Sequence, residues 1–392
     1  MLASCPYPNG SDLVYAPAQP EKNPPNNPDA SVRTALYIDT SDTSDSAEIL
    51  KTAGKYLVSV NNTETPYFDY VIISGAEIKR GKSIPMLELS ETILEVLRNR
   101  RTLIKPLRDK GVKILLGITG GKDGVTFGVL TGVTEENDPS KDTEQALFAR
   151  QIADICLYYE LDGVEFYDKD GESEEQSPYP QIGASYWNGE SLIEISDTNM
   201  ALAETQCREA WTKGGKNMVN TMSYLIEMFG ASASAQGDLP IDAKMNTPIL
   251  VRETGYGKYL SPNIPRYAFA TTMSCLTYSI NSDSSINVYD IWESSIMDTD
   301  GNTFIGLRDY APCIIDLGAI NSYSLELFAK KLGRNGFMPA YGSDPEISGI
   351  LGDTDYGLVY YTNLQPHSED QLEKLSVVSR EVFGADVLYR GN

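Results

Sequence analysis

Histidine is the scarcest of the residues that carry enzyme chemistry: this chain of 392 residues contains one, His367. The catalytic triads of serine and cysteine hydrolases need a histidine, and so do most zinc sites. His367 stands in Gln365-Pro366-His367-Ser368, a pattern typical of a turn before a helix. We therefore expect a structural histidine and no metal site, and any catalysis should use carboxylates, tyrosine or lysine.

Basic residues are few as well, since 32 Lys and Arg stand against 55 Asp and Glu, which gives a formal net charge of −23. A nucleic-acid surface needs clustered Lys and Arg, so we expect no nucleic-acid partner and favour neutral polar ligands. The sequence also lacks any window of about 18 apolar residues, the length that a transmembrane helix needs. Apolar residues nevertheless make up 41 % of the chain, which indicates a globular protein with a large core.

The five cysteines are scattered, and none has the Cys-x-x-Cys spacing of a zinc or redox site, so the sequence predicts no cofactor. Cys5 differs from the others because Leu2-Ala3-Ser4-Cys5 has the form of a bacterial lipobox, in which the cysteine is lipidated after signal cleavage. This pattern predicts a lipid anchor at Cys5 and a location at the cell surface or in the periplasm. A chance match to a short pattern is the alternative.

The first 32 residues hold seven prolines among Asn, Ser and Ala. Proline fixes φ and removes a backbone donor, so such a stretch does not readily form helix or sheet. We interpret residues 1–32 as an extended tether and residues 33–392 as one folded domain. A tether of this kind suits a chain that is held at Cys5 by a lipid.

Short apolar runs alternate with amphipathic helical patterns throughout residues 33–392. Because the runs are continuous in hydrophobicity, they indicate strands that are covered on both faces. The runs cover residues 35–38, 70–73, 113–118, 163–167, 248–251, 275–278, 313–315 and 357–361. The clearest helical patterns cover residues 90–110, with a bend at Pro106, residues 142–160, and a last helix that starts at Ser368 and stops at Gly384.

Eight strands that alternate with helices predict an α/β fold, a closed (β/α)₈ TIM barrel, which takes about 250 residues. The surplus of roughly 110 residues must then lie in long βα loops. The clearest of these loops are 170–200 and 282–309. An open, doubly wound sheet is the alternative, but no glycine-rich dinucleotide turn follows the first run.

The fourth run lies in residues 161–169, whose sequence is LDGVEFYDK. It resembles Asp-Gly-x-Asp-x-Asp-x-Glu, the signature of glycoside hydrolase family 18, which includes chitinases and endo-β-N-acetylglucosaminidases. Further segments are similar to the endo-β-N-acetylglucosaminidase branch: 67–73 to its second strand, 104–116 to its second helix and third strand, and 362–364 to the end of its eighth strand. The resemblance covers residues 33–170 and, more loosely, 310–390.

The resemblance implies three carboxyls on the fourth strand, two residues apart and facing the barrel interior. In the family, the last of them protonates the glycosidic oxygen, and the one before it orients the acetamido group of the substrate, which attacks the anomeric carbon. In register, the innermost acid becomes Glu165, the orienting acid becomes Tyr167 and the proton donor becomes Lys169, while Asp162 keeps the first position of the signature.

Two of the three functional carboxyls are therefore replaced. A lysine, with an ordinary pKa of about 10.4, is a poor proton donor near neutrality, and its ammonium repels the positive charge that develops on the sugar. General acid catalysis contributes about 10²–10⁴-fold, so we expect no catalytic residue and no meaningful turnover. Asp168, Asp170 and Glu172 are the acids that could substitute, and their simpler interpretation is as solvated side chains of a loop.

A barrel without these acids could still bind sugar, because polar groups offer hydrogen bonds and aromatic rings stack on the C–H faces of pyranoses. The candidate glycan-binding residues are Glu165, Tyr167, Lys169, Trp187, Tyr278, Trp292, Tyr361 and Asn363. For Tyr278 and Tyr361, a place in the barrel core is an equal alternative.

The predicted function is binding of an oligosaccharide, GlcNAc-containing or N-linked, by a non-catalytic barrel at the cell surface. Relatives of this kind imply outer-membrane glycan-uptake proteins as partners. One alternative is an active endo-β-N-acetylglucosaminidase or chitinase-like hydrolase with an irregular carboxylate. Another is a scaffold or adhesion subunit that binds no sugar.

Overall fold

The computed structural model describes residues 31–40, 43–60, 62–79, 86–119, 144–167, 180–187, 191–209, 221, 224–225, 249–252, 278–280, 286–288, 313–320, 325–326, 329 and 356–391. The first strand begins at Ser31, two residues before the predicted start of the folded domain. Residues 1–30, with Cys5 and most of the predicted tether, lie outside the described residues.

The described strands and helices are as follows. The strands are β1 (Ser31–Ile38), β2 (Tyr56–Val60), β3 (Thr63–Pro66), β4 (Tyr70–Lys79), β5 (Met86–Leu89), β6 (Lys113–Thr119), β7 (Gly163–Tyr167), β8 (Ser185–Trp187), β9 (Leu192–Glu194), β10 (Ile249–Arg252), β11 (Tyr278–Ile280), β12 (Ile286–Val288), β13 (Cys313–Asp316), β14 (Tyr356–Thr362) and β15 (Val387–Tyr389). The helices are α1 (Thr43–Ala53), α2 (Glu91–Arg98), α3 (Arg100–Leu103), α4 (Lys105–Arg108), α5 (Glu144–Tyr159) and α6 (Glu369–Phe383). A further helical stretch covers residues 200–209.

Seven strands form a parallel sheet in the order β10-β7-β6-β4-β1-β14-β13, and β5 adds to β4 antiparallel. These seven match seven of the eight predicted runs and confirm the α/β fold. The first and the last parallel strands, β1 and β14, are neighbours, as the cyclic order of a (β/α)₈ barrel requires. In the described part of the chain, no pairing joins the end strands β10 and β13.

The sheet is strongly curved. Tyr360 in β14 donates a hydrogen bond to Glu165 in β7, although three strands separate β14 from β7 in the sheet order. In a flat sheet, four strand spacings would place these strands about 19 Å apart, which is beyond the reach of the two side chains. The contact therefore crosses the lumen of a sheet that curls around it.

The remaining predicted run, 275–278, is the sixth in the sequence and is described only in part. Residues 275–277 lie outside the described residues, and Tyr278 begins β11, which pairs antiparallel with β12. Within the described residues, β11 pairs with no strand of the main sheet. A continuous apolar pattern does not reveal a strand's partner, so the sequence could not separate a barrel strand from a hairpin strand here.

The predicted helix over 90–110 is three short helices, α2, α3 and α4, which break at Asn99 and Ile104. Pro106 lies in the first turn of α4, where its missing N–H needs no partner, so the break precedes the proline that was expected to bend the helix. Ser90 caps α2, because its side chain accepts the N–H of Ile93.

The last helix is confirmed at both ends. Ser368 caps α6 through the N–H of Gln371, and Gly384 ends it in the left-handed conformation at φ 72°. The turn at residues 366–367 that precedes it is also confirmed. His367 there lies 3.0 Å (Nδ1) from the Tyr389 hydroxyl and 3.5 Å (Nε2) from Oε1 of Glu48, as expected of a structural histidine.

The main core fills the space between the sheet and its helices, with Ile72, Leu115 and Phe166 among its fully buried members. A second sheet, in the order β15-β2-β3, ties the C-terminal end of the described chain to the residues after α1. A smaller cluster around Tyr186 and Ile195 supports the β8–β9 hairpin. Within the residues that the structure describes, no helix is both long and apolar enough to cross a membrane.

Candidate functional site

The carboxyl ends of the parallel strands define the candidate site, because barrels build their binding sites at this face. Strand β6 ends at Thr119, β7 at Tyr167, β10 at Arg252, and β14 at Thr362, which Asn363 follows. The pairing register aligns three of these ends directly: Thr119 pairs with Tyr167, and Tyr167 pairs with Arg252. Thr119, Tyr167 and Arg252 therefore form a row across three neighbouring strands, which we call the β6–β7–β10 row.

Asp162 lies at the opposite end of β7 and serves the fold. The guanidinium of Arg108 donates from Nε to its Oδ2 (3.0 Å) and from Nη2 to its Oδ1 (2.8 Å). The N–H of Ile114 adds a third bond to Oδ2 at 2.9 Å. Both side chains are buried, so the first acid of the signature anchors α4 to the amino ends of β6 and β7, away from the candidate site.

The ion pair also affects its surroundings. The Cys156 thiol in α5 is fully buried, and its burial together with the nearby Asp162 carboxylate raises its pKa well above its usual range. Asp162 and Cys156 are thus part of a closed, low-dielectric layer at the amino end of β7.

Glu165 lies inside the barrel and is 0 % exposed. Its Oε1 accepts a hydrogen bond from the Tyr360 hydroxyl, and the Tyr360 ring lies 6.3 Å from that of Tyr37. Gly117 pairs with Glu165, and a Cβ at this glycine would come within 3.1 Å of the Cα of Ser74. The lumen is therefore tightly filled at this level, and Glu165 with Tyr360 forms a floor beneath the β6–β7–β10 row.

That floor corrects the prediction of direct glycan contact by Glu165, because an enclosed carboxylate offers no surface to a ligand in this structure. Tyr167, two residues further along β7, lies at the strand's carboxyl end, where the resemblance puts the orienting acid. The structure describes its backbone. Lys169 and the three fallback acids, Asp168, Asp170 and Glu172, lie outside the described residues, so the replacement of the proton donor stays a prediction from sequence.

Tyr361 belongs to the core, which is one of the two alternatives that the sequence left open, and it does not serve as a glycan platform in this structure. It is 0 % exposed, its hydroxyl hydrogen-bonds that of Tyr67 at 2.5 Å, and its ring packs against Phe68. Tyr67 in turn packs against Phe383 of α6. Because neighbouring residues of a strand face opposite sides, Tyr360 faces the lumen and Tyr361 the helix layer.

The remaining predicted glycan contacts have different positions. Asn363 is exposed directly after β14 with a left-handed φ of 57°, and its carbonyl accepts the side-chain N–H of Gln371 at 3.0 Å. Trp187 ends β8 in the hairpin, where it pairs with Leu192. Tyr278 is in the β11–β12 pair, and Trp292 lies outside the described residues. The structure brings Glu165 and Tyr167 together in one strand.

The open end of the barrel also holds polar residues that the sequence did not single out. Ser74 in β4 accepts the N–H of Thr40 at 3.0 Å and lies 3.4 Å from the carboxylate of the exposed Asp39. Glu77 in β4 is half-buried and pairs with Thr119, which extends the row by one strand. One signal could have found Arg252: it directly follows the apolar run Ile249-Leu250-Val251, and so stands at a strand's carboxyl end. Among the described residues, no cluster of three or more His, Cys, Asp or Glu side chains could hold a metal ion.

Comparison with known proteins finds both curated relatives and solved structures that are similar to this chain. No family model matches the sequence. The chain is 26 % identical over 212 residues, 51 % of its length, to endo-β-N-acetylglucosaminidase F1 of Elizabethkingia meningoseptica, of which the match covers 59 %. It is 31 % identical over 125 residues, 32 % of its length, to an endo-β-N-acetylglucosaminidase of Flavobacterium sp. strain SK1022, of which the match covers 35 %. The chain thus spans about three fifths and one third of the lengths of these relatives.

Among solved structures, EndoBT-3987 of Bacteroides thetaiotaomicron, in complex with a Man9GlcNAc2Asn substrate, aligns with a TM-score of 0.50 at 14 % identity. The alignment covers 94 % of this chain and 69 % of that one, and it supports the shared barrel fold. The expected resemblance to the endo-β-N-acetylglucosaminidase branch of glycoside hydrolase family 18 is confirmed.

Proposed function

We propose that this protein binds GlcNAc-containing or N-linked glycans at the open end of its barrel and does not hydrolyse them. The observation that carries the proposal is Tyr167 at the carboxyl end of β7, in register with Thr119 and Arg252, at the position that the resemblance gives to an orienting carboxylate. Below it, Glu165 is enclosed and bonded by Tyr360, so it is not a free acid that could act in its place.

The proposed absence of hydrolysis follows from the charges of the residues that replace the two functional carboxyls. Substrate-assisted hydrolysis develops positive charge on the sugar ring and the acetamido group, and a carboxylate stabilises that charge where a neutral phenol does not. Lys169, the residue in register with the proton donor, brings an ammonium where a neutral carboxylic acid is needed. Binding needs neither a proton donor nor a charge-stabilising carboxylate, because tyrosine, threonine and arginine all donate hydrogen bonds to sugar hydroxyls.

The ligand class rests on the relatives. Two curated relatives are endo-β-N-acetylglucosaminidases, and the structural neighbour binds Man9GlcNAc2Asn, so an N-linked glycan is the first ligand to test. Trp187 on the β8–β9 hairpin and Asn363 after β14 are the candidate contacts outside the β6–β7–β10 row. A ring such as that of Trp187 would stack on a sugar's C–H face.

Titration calorimetry with a high-mannose glycopeptide tests the proposal, with mass spectrometry of the same samples after long incubation. We expect binding without loss of mass, and binding at least tenfold weaker for Tyr167→Ala. Tyr158→Ala is the matched control, because this tyrosine is 70 % exposed on α5 and should leave binding unchanged. Absence of binding, with both variants folded, would refute the proposal and favour a scaffold or adhesion subunit.

Hydrolysis is the second candidate, and the relatives' names favour it. It would need Asp168, Asp170 or Glu172 to supply the proton. Cleavage of the glycopeptide that disappears in only one of Asp168→Asn, Asp170→Asn and Glu172→Gln would establish this candidate and identify the acid.

The location is part of the proposal. A lipid on Cys5 and the proline-rich tether would hold the barrel at a bacterial surface, where it could present glycans to outer-membrane uptake proteins. Metabolic labelling with a fatty-acid analogue should mark the chain, and Cys5→Ser should abolish the label. A chain that stays unlabelled, or labelling that survives the substitution, would contradict the anchor while leaving glycan binding open.

A further inference from the structure

Arg252 ends β10 at the open end of the barrel. It pairs with Tyr167, which pairs with Thr119, at the ends of three parallel strands. Glu165, two residues before Tyr167, faces the lumen, because it contacts Tyr360 of a strand on the other side. Residues two apart in a strand, and registered partners in parallel strands, occupy the same face of a sheet. Arg252 therefore occupies the lumen face at the open end of the barrel.

Other charged residues described near this end differ in how they are engaged. Lys79, the last residue of β4, is paired with Glu88 of β5. Asp316 in β13 accepts the N–H groups of Gly318 and Ala319, so its carboxylate holds a turn. Asp39 after β1 is exposed, and Glu77 stands at the far end of the row from Arg252, three strand spacings or about 14 Å away. A ligand lying along the row would meet an arginine at one end and a carboxylate at the other.

The chemistry of the row differs from that of a site for neutral substrate. A carboxylate at the position of Tyr167 would suit a ligand that becomes positive, whereas a phenol beside an arginine suits a ligand that is negative. A guanidinium stays charged at every physiological pH, and its planar donors match the oxygens of a carboxylate or sulfate. In a chain of net charge −23, an acidic ligand is repelled at long range, so its recognition needs a cation within the site.

We propose that the open end of this barrel selects acidic glycans, which carry a carboxylate or a sulfate ester, and that Arg252 binds the anionic group beside Tyr167. The proposal rests on the proposed glycan binding and adds the ligand class. The competing role for Arg252 is structural, since its register also makes it a diagonal neighbour of the buried Glu165.

Calorimetric titration of the full chain with four N-glycans separates the ligand-binding role of Arg252 from the structural one. The four are a sialylated glycan, a sulfated glycan, their neutral parent and a high-mannose glycan. We expect the sialylated or the sulfated glycan to bind at least tenfold more tightly than the neutral parent, and the comparison of the two identifies the anion. Arg252→Gln should lower the affinity for the acidic glycan at least tenfold and lower the neutral parent's affinity much less, because the neutral glycan loses a hydrogen bond and no ionic contact. Arg98→Gln on the outer helix α2 is the control and should change neither.

Several outcomes would overturn the inference. Equal affinity for the acidic and neutral glycans would do so, and so would an Arg252→Gln variant that weakens both alike. If Arg252→Gln lowers the melting temperature and adding Glu165→Gln restores it, Arg252 serves the buried carboxylate and the inference is wrong. Binding of neutral glycans alone refutes this inference and keeps the proposed function, whereas binding of none of the four refutes the proposed function itself.

Discussion

Two buried acids three residues apart at β7 accept hydrogen bonds from donors of different kinds. Asp162, just before the amino end of the strand, accepts two bonds from the Arg108 guanidinium and one from the N–H of Ile114. Glu165, in the middle of the strand, accepts a bond from the hydroxyl of Tyr360 across the lumen. Asp162 has a full opposite charge in direct contact, whereas the donor that reaches Glu165 from β14 is neutral.

The difference shows that one sequence signature contains acids with separate tasks. Asp162 joins α4 to two strand ends and belongs to the fold, so its presence says nothing about catalysis. Glu165 lies directly under the positions where the family does its chemistry, and its partner Tyr360 belongs to the same inner layer. A signature that keeps Asp162 and has Tyr167 in place of the orienting acid is what the proposed binding without hydrolysis predicts.

The largest effect should come from breaking the ion pair. Arg108→Met leaves the Asp162 carboxylate buried without its counter-charge, and we expect unfolding free energy to fall by about 3–5 kcal/mol. Urea denaturation followed by circular dichroism measures the change. Arg98→Met is the matched control, since Arg98 is exposed and 4.0 Å from Glu91, and it should stay within about 0.5 kcal/mol of the parent protein. Equal, small effects of the two variants would show that Asp162 is not held mainly by charge.

Tyr360 and Tyr361, which are adjacent in β14, test how the surroundings of Glu165 contribute to stability and binding. Tyr360→Phe removes the hydroxyl that reaches the buried Glu165 carboxyl group and should cost about 2 kcal/mol, because a buried acceptor loses its hydrogen-bond donor. Tyr361→Phe breaks a bond between two neutral hydroxyls and should cost about 1 kcal/mol. Only Tyr360→Phe should also weaken glycan binding, since only that residue belongs to the floor of the site. A ligand affinity that depends on Tyr361 and not on Tyr360 would contradict the assignment of the two faces.

Ser74 at the open end of the barrel accepts the N–H of Thr40, and a substitution there tests how much this hydrogen bond contributes. Ser74→Ala leaves the N–H of Thr40 without its acceptor and should cost about 1 kcal/mol. Thr102→Ala on α3 removes an exposed hydroxyl bonded to the Asn99 carbonyl and should cost less than about 0.5 kcal/mol. Thermal unfolding of the two variants beside the parent measures both values. A loss of several kcal/mol at Ser74 would mean that the open end is as dependent on single contacts as the amino end of β7.

Seven of the barrel strands could be predicted because a strand covered on both faces needs a continuous apolar run, and the sequence shows these runs plainly. The ends of α6 followed from Ser368, Gln371 and Gly384 for equally local reasons. The sixth run, 275–278, is described at Tyr278 alone, which lies in the β11–β12 pair; pairing partners are set by tertiary contacts that a short apolar pattern does not encode.

The candidate site was predictable in part. Strand alternation correctly placed Glu165 in the barrel, but burial could not be foreseen, because the hydroxyl of Tyr360 comes from a strand 195 residues away in sequence. The same limit applies to Tyr361, whose inward or outward direction depends on a one-residue register. Arg252 was missed because no motif surrounds it, and its significance comes from its register with Tyr167.

The smallest effect concerns the Cys156 thiol, which lies beside the amino end of β7. Burial and the Asp162 carboxylate raise its pKa in the folded protein, so the folded state keeps its proton while the unfolded chain loses it from about pH 8.5 upward. A raised folded pKa gives stability that is complete below the unfolded value and is lost as pH rises. By pH 9, linkage gives a loss of about 1 kcal/mol relative to neutral pH. Unfolding curves at pH 7 and pH 9 should show this loss in the parent protein and a smaller one in Cys156→Ala. If iodoacetamide modifies Cys156 in the folded protein at pH 9, the layer around Cys156 and Asp162 is open to solvent. That result would contradict the closed, low-dielectric layer at the amino end of β7.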